Sequence, residues 1–137
     1  MDDKVSYRLK RKLDELGLDL IFEEMDRSGF YWPAKGAIVV NAKLLKTNDV
    51  NFAVAHELSH VLRNHAAYSS LYSSTMTNRL KMEAEANISA IRILVEVYLE
   101  ENEMDFEQLN SIKFMEYYGI RNSLYFCVEE TLSGYTS

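Results

Sequence analysis

Cysteine, proline and glycine are scarce in this sequence, and each scarcity limits what the chain can be. A single cysteine, Cys127, excludes a disulfide within the chain and is typical of a reducing compartment. One proline and five glycines among 137 residues leave no stretch with the composition of a flexible linker. We therefore expect a single domain over residues 1–137, with a core at about 16–100 and C-terminal helices at about 105–132.

Long apolar runs and an excess of positive charge are also missing. No segment approaches the roughly 18 apolar residues of a membrane-spanning helix, and the first residues lack the apolar centre of a signal peptide. Fifteen basic and 21 acidic residues give a net charge of −6, which is atypical of a protein whose main partner is nucleic acid. We expect a cytoplasmic protein that contacts neither a membrane nor nucleic acid directly.

What the sequence does contain is an HExxH pattern inside an apolar run. Residues 52–64 read FAVAHELSHVLRN, and the polar trio is His56, Glu57 and His60. The apolar residues recur at helical spacing, so the run predicts a buried helix with both histidines on one face. Two imidazoles placed in this way can bind one divalent ion, and Glu57 is positioned as the general base of a metallopeptidase. Burying the trio without partners would be costly, which favours a metal site over simple packing.

Two histidines do not complete a catalytic zinc site, which normally takes three protein ligands. The metzincin continuation, HExxHxxGxxH, requires a glycine and a histidine where this chain has Arg63 and Ala66. His65 falls on a different helical face from His56 and His60, so we expect it at the surface or behind a ligand. The third ligand must come from another element.

The next predicted helix, over residues 79–100, offers two carboxylates, Glu83 and Glu85. Glu83 and Asn87 are four residues apart and share a face, so Glu83 can bind the ion while Asn87 hydrogen-bonds to a ligand histidine. Glu85 lies about 200° around the helix from Glu83 and has no comparable partner. The spacing favours Glu83 and keeps Glu85 as the alternative.

The remaining patterns indicate an α+β fold, mostly helical, with a small antiparallel sheet beside the metal-binding helix. Amphipathic spacing predicts helices over residues 3–16, 105–118 and 120–132. Residues 18–25 and 38–41 have the composition of strands. Residues 38–41 are either an edge strand that can pair with an extended peptide or an ordinary strand of the sheet, and we expect 66–78 to be a loop in which Tyr68 and Tyr72 are candidate oxyanion donors.

The motif HELSH, followed by a helix that carries Glu83-x-x-Ala86-Asn87, resembles the ImmA/IrrE family of gluzincin-like metallopeptidases. The resemblance covers about residues 16–95. It implies a zincin-like fold, zinc as cofactor, His56, His60 and Glu83 as zinc ligands, and Glu57 as catalytic base. It also implies an endopeptidase from a prophage or other mobile element whose protein substrate is a helix-turn-helix transcriptional repressor.

The sequence departs from this family after Asn87. Family members usually continue with Phe-Ala and a Leu-Leu-Met-Pro run, whereas this chain has Ile88-Ser89-Ala90 and no proline, so we expect a longer helix and a different cleft. A second interpretation is a non-proteolytic antirepressor or regulatory binding protein on the same metal-bound scaffold, and a third is a purely structural ion. The intact Glu57 argues against both, because neither needs a general base.

Overall fold

The computed structural model describes residues 4–47, 49–63 and 75–135. Over these ranges the chain is an α+β domain in which helices predominate, as the sequence predicts. The helices are α1 (Tyr7–Glu15), α2 (Asp49–Leu62), α3 (Met76–Glu101), α4 (Ser111–Tyr118) and α5 (Tyr125–Ser133). The strands are β1 (Asp19–Glu23), β2 (Gly29–Trp32) and β3 (Ala37–Asn41). None of these helices is both long enough and apolar enough to cross a membrane.

The sheet is mixed, so the prediction of an antiparallel sheet is wrong. Its strand order is β1–β3–β2, with β1 parallel and β2 antiparallel to β3. All five residues of β3 are buried, and a continuous apolar run of this kind is typical of a central strand. The interpretation of residues 38–41 as an edge strand is therefore also wrong. The edge strand beside α2 is β2 instead. Its aromatic residues do not alternate with polar ones, so the sequence did not indicate a strand there.

Side-chain caps set where two of the helices begin. The Ser6 hydroxyl accepts hydrogen bonds from the backbone of Arg8 and Leu9, so α1 starts at Tyr7 and not at residue 3. The Thr75 hydroxyl accepts from the backbone of Asn78, and α3 starts three residues earlier than predicted. Residues 76–78 are thus helical and not part of a loop. The rest of that predicted loop, with Tyr68 and Tyr72, lies outside the described residues.

The two helices that carry the predicted site pack directly on one another, and α2 also packs on β2 and β3. Val54 and Leu58 of α2 are buried, as are Ala86 and Ala90 of α3. The small side chains of these two alanines permit a close approach of the helices. The site therefore lies between two helices that are held by a common apolar core.

The C-terminal part contains two short helices, as predicted, joined at a glycine. Asn110 caps the start of α4, and Gly119 ends it with a φ of +61°, the left-handed conformation that glycine adopts readily. The residues before α4 and α5 form single 3₁₀ turns at Phe106–Gln108 and Asn122–Leu124, so both helices are shorter than predicted. This part packs against α2 and α3.

Candidate metal centre

The two histidines of the HExxH motif face the same point. His56 and His60 are one helical turn apart on α2, and their Nε2 atoms are 3.2 Å apart. The rings meet edge to face, with centroids 4.8 Å apart and planes at 83°. Both side chains are only 13% exposed. The helix thus presents two imidazole nitrogens together, as the four-residue spacing predicts.

Glu83 of α3 supplies a carboxylate to the same point. Its Oε1 lies 2.9 Å from Nε2 of His56, and its Oε2 lies 3.1 Å from Nε2 of His60. The ligand atoms of the three residues all lie within 4.8 Å of one another, and this is a group that can hold a metal ion. Glu85, the alternative carboxylate, is not a member of the group that the structure brings together.

The spacing of the two histidines fits a tetrahedral ion. Two ligand atoms that are each 2.0–2.1 Å from a tetrahedral zinc ion are about 3.3 Å apart. The two Nε2 atoms are 3.2 Å apart, and they lie 2.9 and 3.1 Å from the two different oxygens of the Glu83 carboxylate. Two histidines and one carboxylate are also a ligand set of catalytic zinc sites, which keep a fourth position for water or substrate. The residues present therefore fit zinc.

The Glu83 carboxylate and the two histidines stabilise one another's charged forms. Hydrogen bonds from His56 and then His60 hold the pKa of Glu83 far below its ordinary value. Burial acts to lower the pKa of His56, but the hydrogen bond to Glu83 and the charges of Glu57 and Glu83 outweigh burial and leave that pKa raised. The pocket therefore favours positive charge at the point where the three side chains meet.

Glu57 lies beside the three converging side chains and is 7% exposed. Burial raises the pKa of its carboxyl, and the charges of His56, His60 and Arg27 only partly oppose that shift. Strand β2 passes close to it at Gly29, where an added Cβ would lie 3.4 Å from Cγ of Glu57 and 2.6 Å from the carbonyl oxygen of Val39. An added side chain would thus collide with the backbone of β3, whereas its contact with Glu57 would be an ordinary van der Waals one.

Asn87 lies one turn after Glu83 on α3 and approaches His56, as the sequence predicts. Its side chain helps to raise the pKa of His56. However, Nδ1 of His56 is buried, and no group in the described ranges meets it with hydrogen-bond geometry. The amide is therefore near the ligand ring but does not satisfy it in this arrangement. His65, the third histidine of the sequence, lies outside the described residues.

Two cavities open on either side of these residues. The first has a volume of about 560 Å³, is lined by strand β2 and α3, and contains Glu57 together with Arg27, Phe30 and Arg79. The second, of about 490 Å³, lies against the start of α2 and is lined partly by Asp49, Phe52, Asn87 and Arg121. His56 and Glu83 line both.

The arginines of the two cavities were not predicted from the sequence. Arg27, Arg79 and Arg121 are far apart in the chain, and only the fold brings them to one site. One signal was available, because Arg79 is four residues before Glu83 and must share its helical face.

The geometry agrees with a comparison against known protein families. Residues 13–121, well over half of the chain, match peptidase family M78, described as the IrrE N-terminal-like domain. No curated protein and no solved structure shows a significant match to the chain. The matched range includes the HExxH helix, Glu83 and the whole sheet. The chain belongs to the IrrE N-terminal-like family of metallopeptidase domains.

Proposed function

We propose that this protein is a zinc-dependent endopeptidase in which His56, His60 and Glu83 bind the ion and Glu57 is the general base. The observation that carries the proposal is the convergence of two imidazole nitrogens and one carboxylate, with a nitrogen–nitrogen separation that suits a tetrahedral ion, next to a buried glutamate. A purely structural ion would need neither the glutamate nor the two cavities beside it.

In this mechanism the ion supplies polarisation of the scissile carbonyl and acidification of a water molecule. The Glu57 carboxylate accepts a proton from that water as the water oxygen attacks the carbonyl carbon. The same carboxyl then donates the proton to the amide nitrogen as the carbon–nitrogen bond breaks, so that a free amine leaves. The burial that raises the pKa of Glu57 helps its carboxyl to hold the proton between the two transfers.

The free edge of β2 suits an extended peptide substrate. Among the described strands β2 has a neighbour only in β3, and Gly29, Phe30 and Tyr31 of this strand line the first cavity. An extended peptide that added to this edge would run past Glu57. We transfer to β2 the peptide-pairing role that the sequence suggested for residues 38–41.

We further propose that the substrate is a helix-turn-helix transcriptional repressor of a prophage or mobile element. The support for this is the likeness of HELSH and Glu83-x-x-Ala86-Asn87 to the ImmA/IrrE family. A repressor substrate requires that the enzyme act in the cytoplasm. The acidic net charge favours a protein substrate over direct contact with nucleic acid.

The metal part of the proposal is tested by elemental analysis of the purified full chain after zinc is supplied and excess zinc is removed. We expect about one zinc per chain in the wild type, and loss of zinc in His56→Ala, His60→Ala and Glu83→Ala. Glu85→Ala is the matched control, since it removes a glutamate two residues away on the same helix, and it should keep zinc. Zinc that persists in Glu83→Ala and disappears in Glu85→Ala would contradict the assignment.

The catalytic part is tested by co-expression with candidate helix-turn-helix repressors, first of all any that is encoded beside the gene. The wild type should produce two repressor fragments on a gel, whereas Glu57→Gln should bind zinc normally and produce none. We expect the substitution to lower the rate at least 100-fold, because it removes the group that moves the proton. Release of the repressor from its operator by Glu57→Gln, with no fragments from either protein, would instead support the antirepressor interpretation.

A further inference from the structure

Arginine is concentrated around the candidate metal centre of an otherwise acidic chain. Acidic residues outnumber basic ones by 21 to 15, yet three of the seven arginines in the sequence, Arg27, Arg79 and Arg121, line the two cavities. The local charge of the site is thus opposite in sign to that of the whole protein. A long polyanion such as DNA would be repelled by the chain, but a single anionic side chain could enter a cavity.

The first cavity is the more strongly cationic. Arg27 and Arg79 line it from two different elements, and the only acidic side chains among its described lining residues are Glu57 and Glu83. In the second cavity Arg121 shares the space with the carboxylate of Asp49. With zinc bound, the two arginines and the ion of the first cavity would outweigh the two glutamates by two positive charges.

Neither guanidinium of the first cavity is held in an ion pair by a described carboxylate, although the charge of Arg27 acts on Glu57. Among residues 4–47, 49–63 and 75–135, no ion pair involves Arg27 or Arg79. The guanidinium of Arg27 lies 4.9 Å from the centre of the Phe30 ring, a contact that orients it. Arg79 lies one turn before Glu83, and its guanidinium has only a weak contact with the sulfur of Met76, at 3.9 Å. Both cations remain available to a ligand.

We propose that the first cavity selects peptide substrates with an aspartate or glutamate near the scissile bond, whose carboxylate binds Arg27 and Arg79. This proposal rests on the peptidase function proposed above and adds the chemistry of the substrate. Arginine is suited to the task, because its planar guanidinium donates two parallel hydrogen bonds to a carboxylate.

The test measures binding separately from cleavage. The protein is the full-length Glu57→Gln chain loaded with zinc, which cannot consume its ligand. The probes are two pools of fluorescein-labelled, end-blocked nonapeptides in which eight positions are random mixtures of Ala, Leu, Ser and Gln. The central residue is Glu in one pool and Gln in the other, and binding is followed by fluorescence anisotropy. We expect about tenfold tighter binding of the Glu pool, the effect of one charge-assisted contact.

Matched arginine substitutions assign the effect to the first cavity. In the same background, Arg27→Gln and Arg79→Gln together should abolish the preference for the Glu pool. Arg92→Gln removes an exposed arginine from the same helix as Arg79, outside both cavities, and should leave the preference intact. Because all three arginines are exposed, these variants should fold, which circular dichroism checks.

The outcomes separate this proposal from the peptidase function. Equal affinity for the two pools, no binding of either pool, or a preference that survives in the double variant would overturn the acidic specificity. A third pool with central phosphoserine tests the anion, and at least tenfold tighter binding than the Glu pool would overturn the carboxylate assignment. If the Glu pool is preferred but wild-type enzyme cleaves neither pool, the specificity stands and the peptidase function fails. Cleavage of both pools without preference would support the peptidase function and overturn the acidic specificity.

Discussion

Two buried polar atoms, Nδ1 of His56 and the hydroxyl oxygen of Tyr118, have no hydrogen-bond partner among the described residues, but their surroundings differ. His56 lies between two cavities and beside charged groups. Tyr118 is fully buried among aromatic rings, with centroid distances of 6.0 Å to Tyr98, 5.4 Å to Phe114 and 4.8 Å to Tyr117. A buried polar atom without a described hydrogen-bond partner thus occurs once in the candidate metal centre and once in the packed core.

The difference shows how a missing partner should be interpreted. The ring of His56 has a polar neighbour, Asn87, which acts on its pKa, and metal-binding histidines usually have such a partner. Around Tyr118, burial raises the pKa of the phenol, and the nearby charge of Glu101 raises it further. We infer that Nδ1 of His56 gains a hydrogen-bond partner when the site binds its ion. The unpaired hydroxyl of Tyr118, in contrast, lowers the stability of the fold.

The largest expected effect concerns Gly119, which follows Tyr118 and also lines the second cavity. Its φ is +61°, and an added Cβ would collide with the carboxylate of Asp49 at the start of α2. Left-handed strain, together with displacement of the exposed Asp49 carboxylate from the first turn of α2, predicts that Gly119→Ala lowers the free energy of unfolding by about 2 kcal/mol. Urea denaturation measures this loss, and zinc stoichiometry should be unchanged.

Gly17 provides the matched control for this prediction. It has a similar φ of +71°, but an added Cβ would meet nothing within 4 Å. Gly17→Ala should therefore cost only the backbone strain, about 1 kcal/mol. In an Asp49→Ala background the cost of Gly119→Ala should fall towards the same value. Equal losses for the two glycines in the wild-type background would show that the contact with Asp49 has no energetic weight.

The next effect tests the His56 half of the comparison. Asn87→Ala should weaken zinc binding by about tenfold, because it removes the polar side chain that acts on the His56 ring and can orient it. A competition titration with a fluorescent zinc chelator measures the dissociation constant. Asn78→Ala, on the same helix but outside both cavities, should have no effect. Unchanged affinity in Asn87→Ala would mean that His56 is oriented by packing alone.

The sequence predicted the local parts of this site well. Periodicity and the HExxH spacing identified α2, and the four-residue relation between Glu83 and Asn87 chose the carboxylate that the structure brings to His56 and His60. These inferences succeed because positions within one helix are fixed by its 3.6-residue repeat. The start of α3 was missed because Thr75 lies in a stretch rich in Ser, Thr and Tyr that has no apolar pattern.

Relations between distant elements were harder to predict. In the sheet, the last strand lies between the first two, in the order β1–β3–β2. The turn residues of the sequence do not predict this order. The uninterrupted apolar run at 37–40 was the available signal in the sequence, since a strand apolar on both faces needs two neighbours. The meeting of Arg27 with Arg79 depends on the packing of both β2 and α3 on α2, so it became visible only in three dimensions.

The smallest effect tests the Tyr118 half of the comparison. Tyr118→Phe keeps the ring and removes the unsatisfied hydroxyl, so it should stabilise the protein by about 1 kcal/mol. Tyr117→Phe, at a partly exposed neighbour, should change little. The gain should grow above pH 10, because the unfolded phenol of Tyr118 then ionises while burial keeps its folded pKa higher, and the variant lacks this loss of stability as the pH rises. Urea denaturation at pH 7 and about pH 10.5 measures the stabilisation and its increase with pH. Destabilisation by Tyr118→Phe at pH 7 would show that the hydroxyl has a hydrogen-bond partner. The hydroxyl of Tyr118 and Nδ1 of His56 would then differ in this respect as well as in their surroundings.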